Sequence, residues 1–391
     1  MTDTLPPPRS TAAAGTAELG TAEPGTAATG VVPGTAPGVE AAQAPPPGPG
    51  PRRRDPYFDN VKFFLILLVV VGHVWEVFRT RSLAADAAYS VVYGFHMPVF
   101  VFVSGYFSRG FMRSTDKFRV IFPMLIVPFA IFNVLYRLQL VWLNGNDFRL
   151  HEIFRPQFLM WFLVALVLWR LSAPLWSHLR YPVAVSVALC LVAGSWSFNS
   201  DSTLCRTAAL LPFFVLGLTA PPERVAALRS RPWTRYAGAA LLVIALPVAY
   251  VWQRGDVVPK IEHGVLLWNR GYERMGFGAL EGMGYRLLAL ALAVVLGAAF
   301  LAAVPRGRAW YTELGTRTMY VYLLHGLIVK GLDYGGVLDA DFYRTPLGLV
   351  AVTVGALALG TALATVPVQR LTRRVVEPDG RWLLRPAHRR T

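Results

Sequence analysis

Residues 54–73 read RDPYFDNVKFFLILLVVVGH, an apolar run that ends in a histidine. A titratable side chain in such a segment is costly to desolvate, so it usually serves chemistry or pairs with another buried polar group. Lys62 precedes His73 by eleven residues. On a helix this spacing places the two side chains about 20° apart around the axis and about 16 Å apart along it. Asp59 and Glu76 fall on the same face, so the stretch predicts an apolar helix with one polar stripe.

The composition of the chain indicates a membrane protein. Of its 391 residues, 54% are hydrophobic and 16% are charged, and several apolar runs are long enough to cross about 30 Å of hydrocarbon. The net charge of +15 comes from basic residues in alternate loops, so we expect no nucleic-acid partner. Cys190 and Cys205 lie in or beside apolar segments and form neither a disulfide framework nor a metal-ligand spacing.

Apolar length and turn residues predict an all-α, polytopic membrane bundle of about ten transmembrane helices. The predicted spans are residues 60–78, 88–108, 119–143, 157–171, 181–199, 204–219, 235–253, 284–304, 317–331 and 346–368. Loops on the side of the amino terminus are basic, whereas the opposite loops mix both signs. The positive-inside bias therefore predicts a multi-pass protein of the cell membrane with both termini in the cytoplasm.

Three regions are predicted along the chain. Residues 1–54 are almost wholly Ala, Pro, Gly, Thr and Val, so we expect a disordered cytoplasmic tail without a signal peptide. Residues 55–370 form the predicted transmembrane domain, and residues 371–391 a basic cytoplasmic tail. Residues 254–283 are the one long stretch expected to be non-helical, on the outer face. This stretch holds Trp268 and is interpreted either as a lid over an acceptor or as a solvated loop with interfacial aromatic residues.

Four ordered motifs resemble the membrane-bound acyltransferase-3 family, in particular its fucose 4-O-acetylase-like branch. They are Lys62 followed after ten residues by His73, FHMP at 95–98 leading to SGYF at 104–107, WFL at 161–163, and MYVYLLH at 319–325. The resemblance covers roughly residues 54–370. It implies an integral-membrane enzyme that moves an acyl group, usually acetyl from acetyl-CoA, to a hydroxyl of a carbohydrate or of a glycosylated or lipid-linked compound.

His73 is the predicted catalytic residue. A hydroxyl is a poor nucleophile at neutral pH, so acyl transfer to it needs a base, and an imidazole has a suitable pKa. The imidazolium ion then needs a counter-charge, for which Glu76, one helical turn away, and Asp59 are the candidates. Asp59 lies about 20 Å from His73 along the helix and is expected to pair with Lys62 instead.

Acetyl-CoA is made in the cytoplasm and carries several phosphate groups, which basic side chains at the inner face are expected to bind. The candidates are Lys62, Arg109, Arg113, Lys117 and Arg119. Two other interpretations stay open. In one, Lys62 only snorkels to the interface; in the other, the run from Arg109 to Arg119 only sets the topology.

His96, His325 and Trp268 are the residues predicted to contact the acceptor. His73 and His96 are expected at similar depths in the outer half of the membrane, with His325 nearer the middle. In the alternative interpretations, His96 bonds a carbonyl freed by Pro98, and His325 only joins two helices. We expect no metal site from the three histidines, because single histidines on separate helices show no ligand spacing.

A second class of function fits the same residues. In a transporter or flippase, the buried histidines would relay protons or bind a polar headgroup. The product separates the two hypotheses, because only the acyltransferase forms an ester from labelled acetyl-CoA.

Overall fold

The computed structural model describes residues 55–80, 82–112, 118–147, 149–195, 202–255 and 263–379. These residues form helices and connecting turns and contain no β-strand, which confirms the all-α class. The predicted tail at residues 1–54 and the last residues of the predicted basic tail, 380–391, lie outside the described residues.

The described residues form fourteen α-helices. They are α1 (Pro56–Phe78), α2 (Leu83–Phe107), α3 (Phe118–Ile121), α4 (Val127–Asn144), α5 (Trp161–Trp176), α6 (Pro182–Ser195), α7 (Ser202–Thr219), α8 (Pro222–Ala227), α9 (Pro232–Arg254), α10 (His263–Leu267), α11 (Ala279–Ala303), α12 (Thr318–Tyr334), α13 (Pro346–Leu363) and α14 (Val366–Val376). A π-helical segment, Phe122–Ile126, joins α3 to α4. The predicted domain boundary at residue 370 falls inside α14.

Seven helical segments of the described chain are long and apolar enough to cross a membrane. They are Pro56–Phe78, Leu83–Phe111, Phe122–Asn144, Phe158–Trp176, Pro232–Arg254, Ala279–Ala303 and Pro346–Leu363. The other three predicted spans fall on the shorter helices α6, α7 and α12. The multi-pass membrane architecture is therefore confirmed, and the number of ten spans stays a prediction.

Helix α1 begins where the sequence changes from polar to apolar. The Asp55 side chain accepts a hydrogen bond of 3.0 Å from the backbone N–H of Tyr57, and Pro56 occupies the first turn, where its missing N–H is not needed. Arg229, from the segment after α8, donates to the other oxygen of Asp55 at 3.0 Å. The cap and the ion pair together fix the start of α1 within the bundle.

Helices α2 and α7 approach so closely that only glycine fits at their crossing. A Cβ atom at Gly105 would overlap the backbone carbonyl of Phe214, and one at Gly217 would overlap the carbonyl of Phe102. Small residues at such crossings let transmembrane backbones approach and gain packing energy that lipid cannot supply. This contact places α2 and α7 side by side on one wall of the bundle.

The stretch expected to be non-helical, 254–283, contains more helix than the sequence indicated. Helix α10 covers His263–Leu267, a 3-10 turn covers Glu273–Met275, and α11 begins at Ala279. That expectation was wrong for these residues, because two helical segments too short to show a clear apolar period lie between the turns. Residues 256–262 lie outside the described part of this stretch.

The close contact between α2 and α7 at Gly105 predicts which substitutions destabilise the bundle. Gly105→Val should destabilise the protein by about 1 to 3 kcal/mol or more, because its side chain has no space to occupy. Gly284→Val is the matched control, since a Cβ atom there meets nothing within 4 Å. Thermal unfolding of both variants in the same detergent measures the difference. Equal melting temperatures would contradict the close α2–α7 contact.

Candidate functional site

A cavity of about 270 Å³ is lined by residues of α1, α2, α5, α7, α10 and α12 and by the segments that precede α5 and follow α10. Apolar side chains form much of its wall, and a few polar groups point into it. The polar groups are those of His73, Glu76, Tyr93, His96, Arg206 and Asn269, together with the indole of Trp268. We call this space the histidine cavity.

Helix α1 contributes His73 and Glu76 to the histidine cavity. The Nδ1 atom of His73 lies 3.4 Å from Oε2 of Glu76 and 3.5 Å from the hydroxyl of Tyr93 on α2. Tyr93 comes this close because Gly72 has no side chain, and a Cβ atom there would contact its ring at 2.9 Å. The predicted neighbour of His73, Glu76, is thus in place to balance an imidazolium charge.

His96, on α2, shares the histidine cavity with His73. Its Nδ1 atom lies 2.8 Å from the carbonyl oxygen of Val92, and its ring centre lies 4.6 Å from that of Tyr93. The carbonyl freed by Pro98 belongs to Gly94, since proline lacks the N–H that would bond the residue four positions earlier. The alternative interpretation of His96 is therefore wrong, because its partner is Val92.

His325, on α12, is fully buried and does not line the cavity. Its Nδ1 atom lies 2.6 Å from the carbonyl oxygen of Val321, and its Nε2 atom has no partner among the described residues. The ring centres of His325 and His73 are 5.6 Å apart. Helix α12 thus brings His325 beside His73, and its depth in the membrane stays a prediction. Tyr322, one turn earlier on α12, reaches the cavity wall instead.

A second cavity, of about 310 Å³, lies nearer the start of α1. Its polar lining consists of Asp55, Asp59, Lys62, Ser104, Arg170 and Thr318, and we call it the lysine cavity. The Nζ atom of Lys62 lies 2.6 Å from Oδ1 of Asp59, which confirms the predicted pair. Phe100, on α2, lies in the walls of both cavities. The two polar pairs of α1 therefore face two adjoining spaces at different depths.

Trp268 is placed in the wall of the histidine cavity by an unusual backbone conformation. Its φ angle is +57°, in the left-handed region that non-glycine residues rarely adopt. Such a conformation costs about 1 to 3 kcal/mol, and residues that adopt it cluster at functional sites. The indole is buried, and neither its Nε1 atom nor Oδ1 of Asn269 has a hydrogen-bond partner among the described residues.

The predicted basic cluster is only partly assembled. The guanidinium of Arg109 donates to the carbonyls of Gly217, Leu218 and Ala220 at the end of α7, so it caps that helix and faces neither cavity. Arg119 lines neither cavity, and Arg113 and Lys117 lie outside the described residues. Within the described chain, Lys62 is the one of the five candidates that lines either of these two cavities. The use of the other four in donor binding stays a prediction.

Two arginines that the sequence analysis missed line the cavities. Arg170, on α5, lies in the lysine cavity and donates through Nε to Oγ of Ser108 at 3.3 Å. Arg206, on α7, lies in the histidine cavity over the ring of Trp161 at 4.9 Å. Each interrupts an apolar span, and a charged residue in that position is itself a signal of function.

The described residues contain no group of three or more His, Cys, Asp or Glu side chains that could hold a metal ion. His73 and His325 are neighbours, but each directs Nδ1 toward another oxygen.

Comparison with known proteins identifies the relatives of this chain. Residues 55–365 match the family model Acyl_transf_3, which describes an acyltransferase domain. Over 75 residues the chain is 37% identical to the nodulation protein NolL of Sinorhizobium fredii (strain NBRC 101917 / NGR234). That alignment covers 18% of this chain and 20% of NolL, so the similarity spans a fifth of the relative's length. No solved structure matches the chain.

The burial of the histidines predicts their reactivity. In the folded protein, diethyl pyrocarbonate should modify His73 much faster than His325, because the His73 side chain is 15% exposed toward the cavity and His325 is fully buried. Mass spectrometry of digested protein measures both rates. The exposed His178 is the control for reagent activity, and urea-unfolded protein should react at all positions. Equal rates at His73 and His325 in the folded state would contradict the cavity.

Proposed function

Because this chain belongs to the acyltransferase-3 family of membrane acyltransferases, we propose that it transfers an acetyl group from cytoplasmic acetyl-CoA to a hydroxyl of a carbohydrate or of a glycosylated, lipid-linked acceptor. The observation that carries this proposal is the pair of His73 and Glu76, whose nitrogen and oxygen atoms lie 3.4 Å apart in a cavity walled by apolar helices. An imidazole beside a carboxylate is a general base with its counter-charge in place.

We propose different roles for the two ring nitrogens of His73. Nδ1 faces Glu76 and the Tyr93 hydroxyl, so its N–H donates to the carboxylate and Nε2 is left as the base. Nε2 takes the proton of the acceptor hydroxyl as the oxygen attacks the thioester carbonyl. The imidazolium ion, balanced by Glu76, then returns the proton to the departing CoA sulfur. No acyl-enzyme is needed in this sequence.

The lysine cavity supports binding of the donor. Lys62 and Arg170 both line it, and phosphate groups prefer such cationic side chains. Lys62 and His73 are about 16 Å apart along α1, and Phe100 belongs to both cavity walls. A donor held by its phosphates at the lysine cavity would therefore direct its flexible arm along α1 toward His73.

Two residues in the segment after α10, Trp268 and Asn269, support a polyhydroxylated acceptor. The Nε1 donor of Trp268 and the Oδ1 acceptor of Asn269 are buried without partners, and a buried polar group without a partner costs about 1 to 3 kcal/mol. Hydroxyl groups can bond to both atoms, because a hydroxyl donates and accepts. The indole face and the ring of Tyr93 add aromatic surface that suits a sugar ring.

The distribution of arginines supports a cytoplasmic lysine cavity. Arg229 bonds Asp55 at the start of α1, and Arg109 caps the end of α7, so both lie at the end of the bundle where Lys62 is found. The positive-inside bias places that end in the cytoplasm and the segment around Trp268 on the other side. We therefore propose a cell-membrane enzyme with both termini in the cytoplasm.

Removing the imidazole tests the proposed chemistry directly. His73→Ala should lower the rate of acetyl transfer at least about 100-fold, the usual contribution of a general base. Protein in lipid vesicles is incubated with radiolabelled acetyl-CoA and either a panel of methyl glycosides or a lipid extract, and ester products are separated and counted. His178→Ala, at an exposed histidine outside both cavities, is the matched control.

Two results would contradict the proposal. Ester formation by His73→Ala at the rate of the unchanged protein would exclude His73 as the base. Translocation of an acceptor by the unchanged protein, with no ester formed from acetyl-CoA, would favour the transporter.

Donor binding is tested at the lysine cavity. Lys62→Met and Arg170→Gln should each weaken CoA binding by about 10- to 150-fold, because a charge-assisted contact contributes about 1.5 to 3 kcal/mol. Calorimetric titration of the purified variants with CoA measures the dissociation constants. Arg155→Ala, at an exposed arginine outside both cavities, is the control.

The Lys62 variant needs a partner variant, because removing the lysine leaves Asp59 as an unpaired, buried carboxylate. The double substitution Asp59→Asn with Lys62→Met removes both charges and should fold with the same loss of CoA affinity. Unchanged dissociation constants in the folded variants would remove the lysine cavity from the donor site and leave Lys62 as an interfacial residue.

A further inference from the structure

Arg206 places a positive charge in the histidine cavity. It lies on α7, and its guanidinium stacks over the ring of Trp161 at 4.9 Å. His73 and Glu76 line the same cavity from α1. The sequence around it, STLCRTAALL at residues 202–211, is otherwise without charge, so the arginine stands within an apolar helix.

The charge of Arg206 has no ion-pair partner in the described part of the chain. No described carboxylate oxygen lies within 4.0 Å of its guanidinium, and no hydrogen bond from the guanidinium to a described group is present. The charge of Glu76 acts on Arg206 within the cavity without a direct ion pair, and the carboxylate of Glu76 is in contact with His73 at 3.4 Å. Charged residues within membrane spans are normally paired or functional because desolvation is costly. Arg206 therefore presents an available cation to whatever occupies the cavity.

Acyl transfer needs hydrogen-bond donors for the oxygen of the carbonyl that is attacked. Attack on a thioester carbonyl moves negative charge onto the carbonyl oxygen, and enzymes stabilise that oxyanion with hydrogen-bond donors aimed at it. In transmembrane helices the backbone N–H groups bond within their own helix. The helices that wall the histidine cavity therefore offer side-chain donors to an oxyanion.

We propose that Arg206 stabilises the oxyanion formed at the thioester carbonyl. The inference rests on the proposed function and concerns the same cavity. The acceptor oxygen forms the new C–O bond while its proton moves to His73, and the carbonyl π electrons become the oxyanion held by Arg206. Its collapse restores the carbonyl and breaks the C–S bond. The proton on His73 then passes to the CoA thiolate.

Three side-chain donors of the wall can be compared. The hydroxyl of Tyr93 lies 3.5 Å from Nδ1 of His73, so it belongs to the environment of the base. The Nε1–H group of Trp268 is buried without a partner and is neutral. Arg206 alone of these three is a cation, and a charged donor forms hydrogen bonds roughly twice as strong as a neutral one. Arg206 is therefore expected to contribute most to the oxyanion.

Substitution of the guanidinium separates this role from substrate binding. Arg206→Gln should lower kcat for acetyl transfer by about 100- to 1000-fold, the usual loss of an oxyanion donor. CoA affinity, measured by calorimetry, and the KM of the acceptor should change little. Arg206→Lys keeps a charge and should recover part of kcat. The rate of acetyl transfer is measured with radiolabelled acetyl-CoA and the most active methyl glycoside or lipid acceptor. In a second assay without acceptor, the rate of hydrolysis of acetyl-CoA is measured.

Chemical rescue distinguishes a catalytic guanidinium from a structural one. Arg206→Gly leaves a space beside Trp161 that free guanidinium ion can enter, and added guanidinium chloride at non-denaturing concentration should raise its kcat. The matched control is His73→Gly, which imidazole should rescue and guanidinium should not. A purely structural arginine predicts lost folded protein, visible by size-exclusion chromatography, and no rescue.

Other outcomes would overturn the inference while leaving acetyl transfer intact. If Arg206→Gln kept the kcat of the unchanged protein and raised the KM of the acceptor, Arg206 would instead bind an anionic group of that acceptor. If neither constant changed, Arg206 would have no part in the reaction. Failure of the unchanged protein to form any ester would count against the proposed function itself.

Discussion

Hydrocarbon allows a transmembrane helix few polar side chains, and it accepts charged ones chiefly where they are paired. Helix α1 meets this constraint with two pairs on one face, Asp59 with Lys62 and His73 with Glu76, each three residues apart. The residues between the pairs are apolar, so the helix can stay in the membrane while presenting polar groups at two depths. The two cavities follow from this spacing, because α2 packs along the same face and contributes Phe100 to both.

The position of α1 is fixed by polar bonds near both of its ends. The Asn60 side chain donates to the carbonyls of Pro305 and Gly307 at 2.9 and 2.8 Å and accepts from Thr312 at 2.7 Å. Toward the other end, the Trp75 indole donates to Oγ1 of Thr353 on α13 at 2.8 Å. Such bonds are strong in the low-dielectric interior of a helical bundle, so they hold the depth of the helix. His73 and Glu76 are thereby kept at one level relative to α2 and α7.

The sequence predicts what depends on local periodicity and misses what depends on packing between distant segments. The polar stripe of α1 and both of its pairs follow from helical spacing alone. The sequence could not show that Arg109 serves a different role from the rest of the basic cluster, because its partners are carbonyls of α7, more than a hundred residues away. Arg170 and Arg206 appear in the sequence as charges in apolar runs, but only the fold shows which cavity each one lines. The left-handed backbone conformation at Trp268 could not be predicted either, because the residue is not a glycine.

The arrangement of the two cavities also bears on the choice between an enzyme and a transporter. A transporter must expose one site to each side in turn, usually by moving one repeat against another, and the sequence shows no convincing inverted repeat. In this bundle the glycine contacts between α2 and α7 bring two backbones together, and a wall packed so closely is poorly suited to rocking. Two fixed cavities that share a wall suit a reaction in which only a small group passes between two substrates. The proposed donor and acceptor would then meet at His73, each entering from its own side, and the protein would need no large movement to join them.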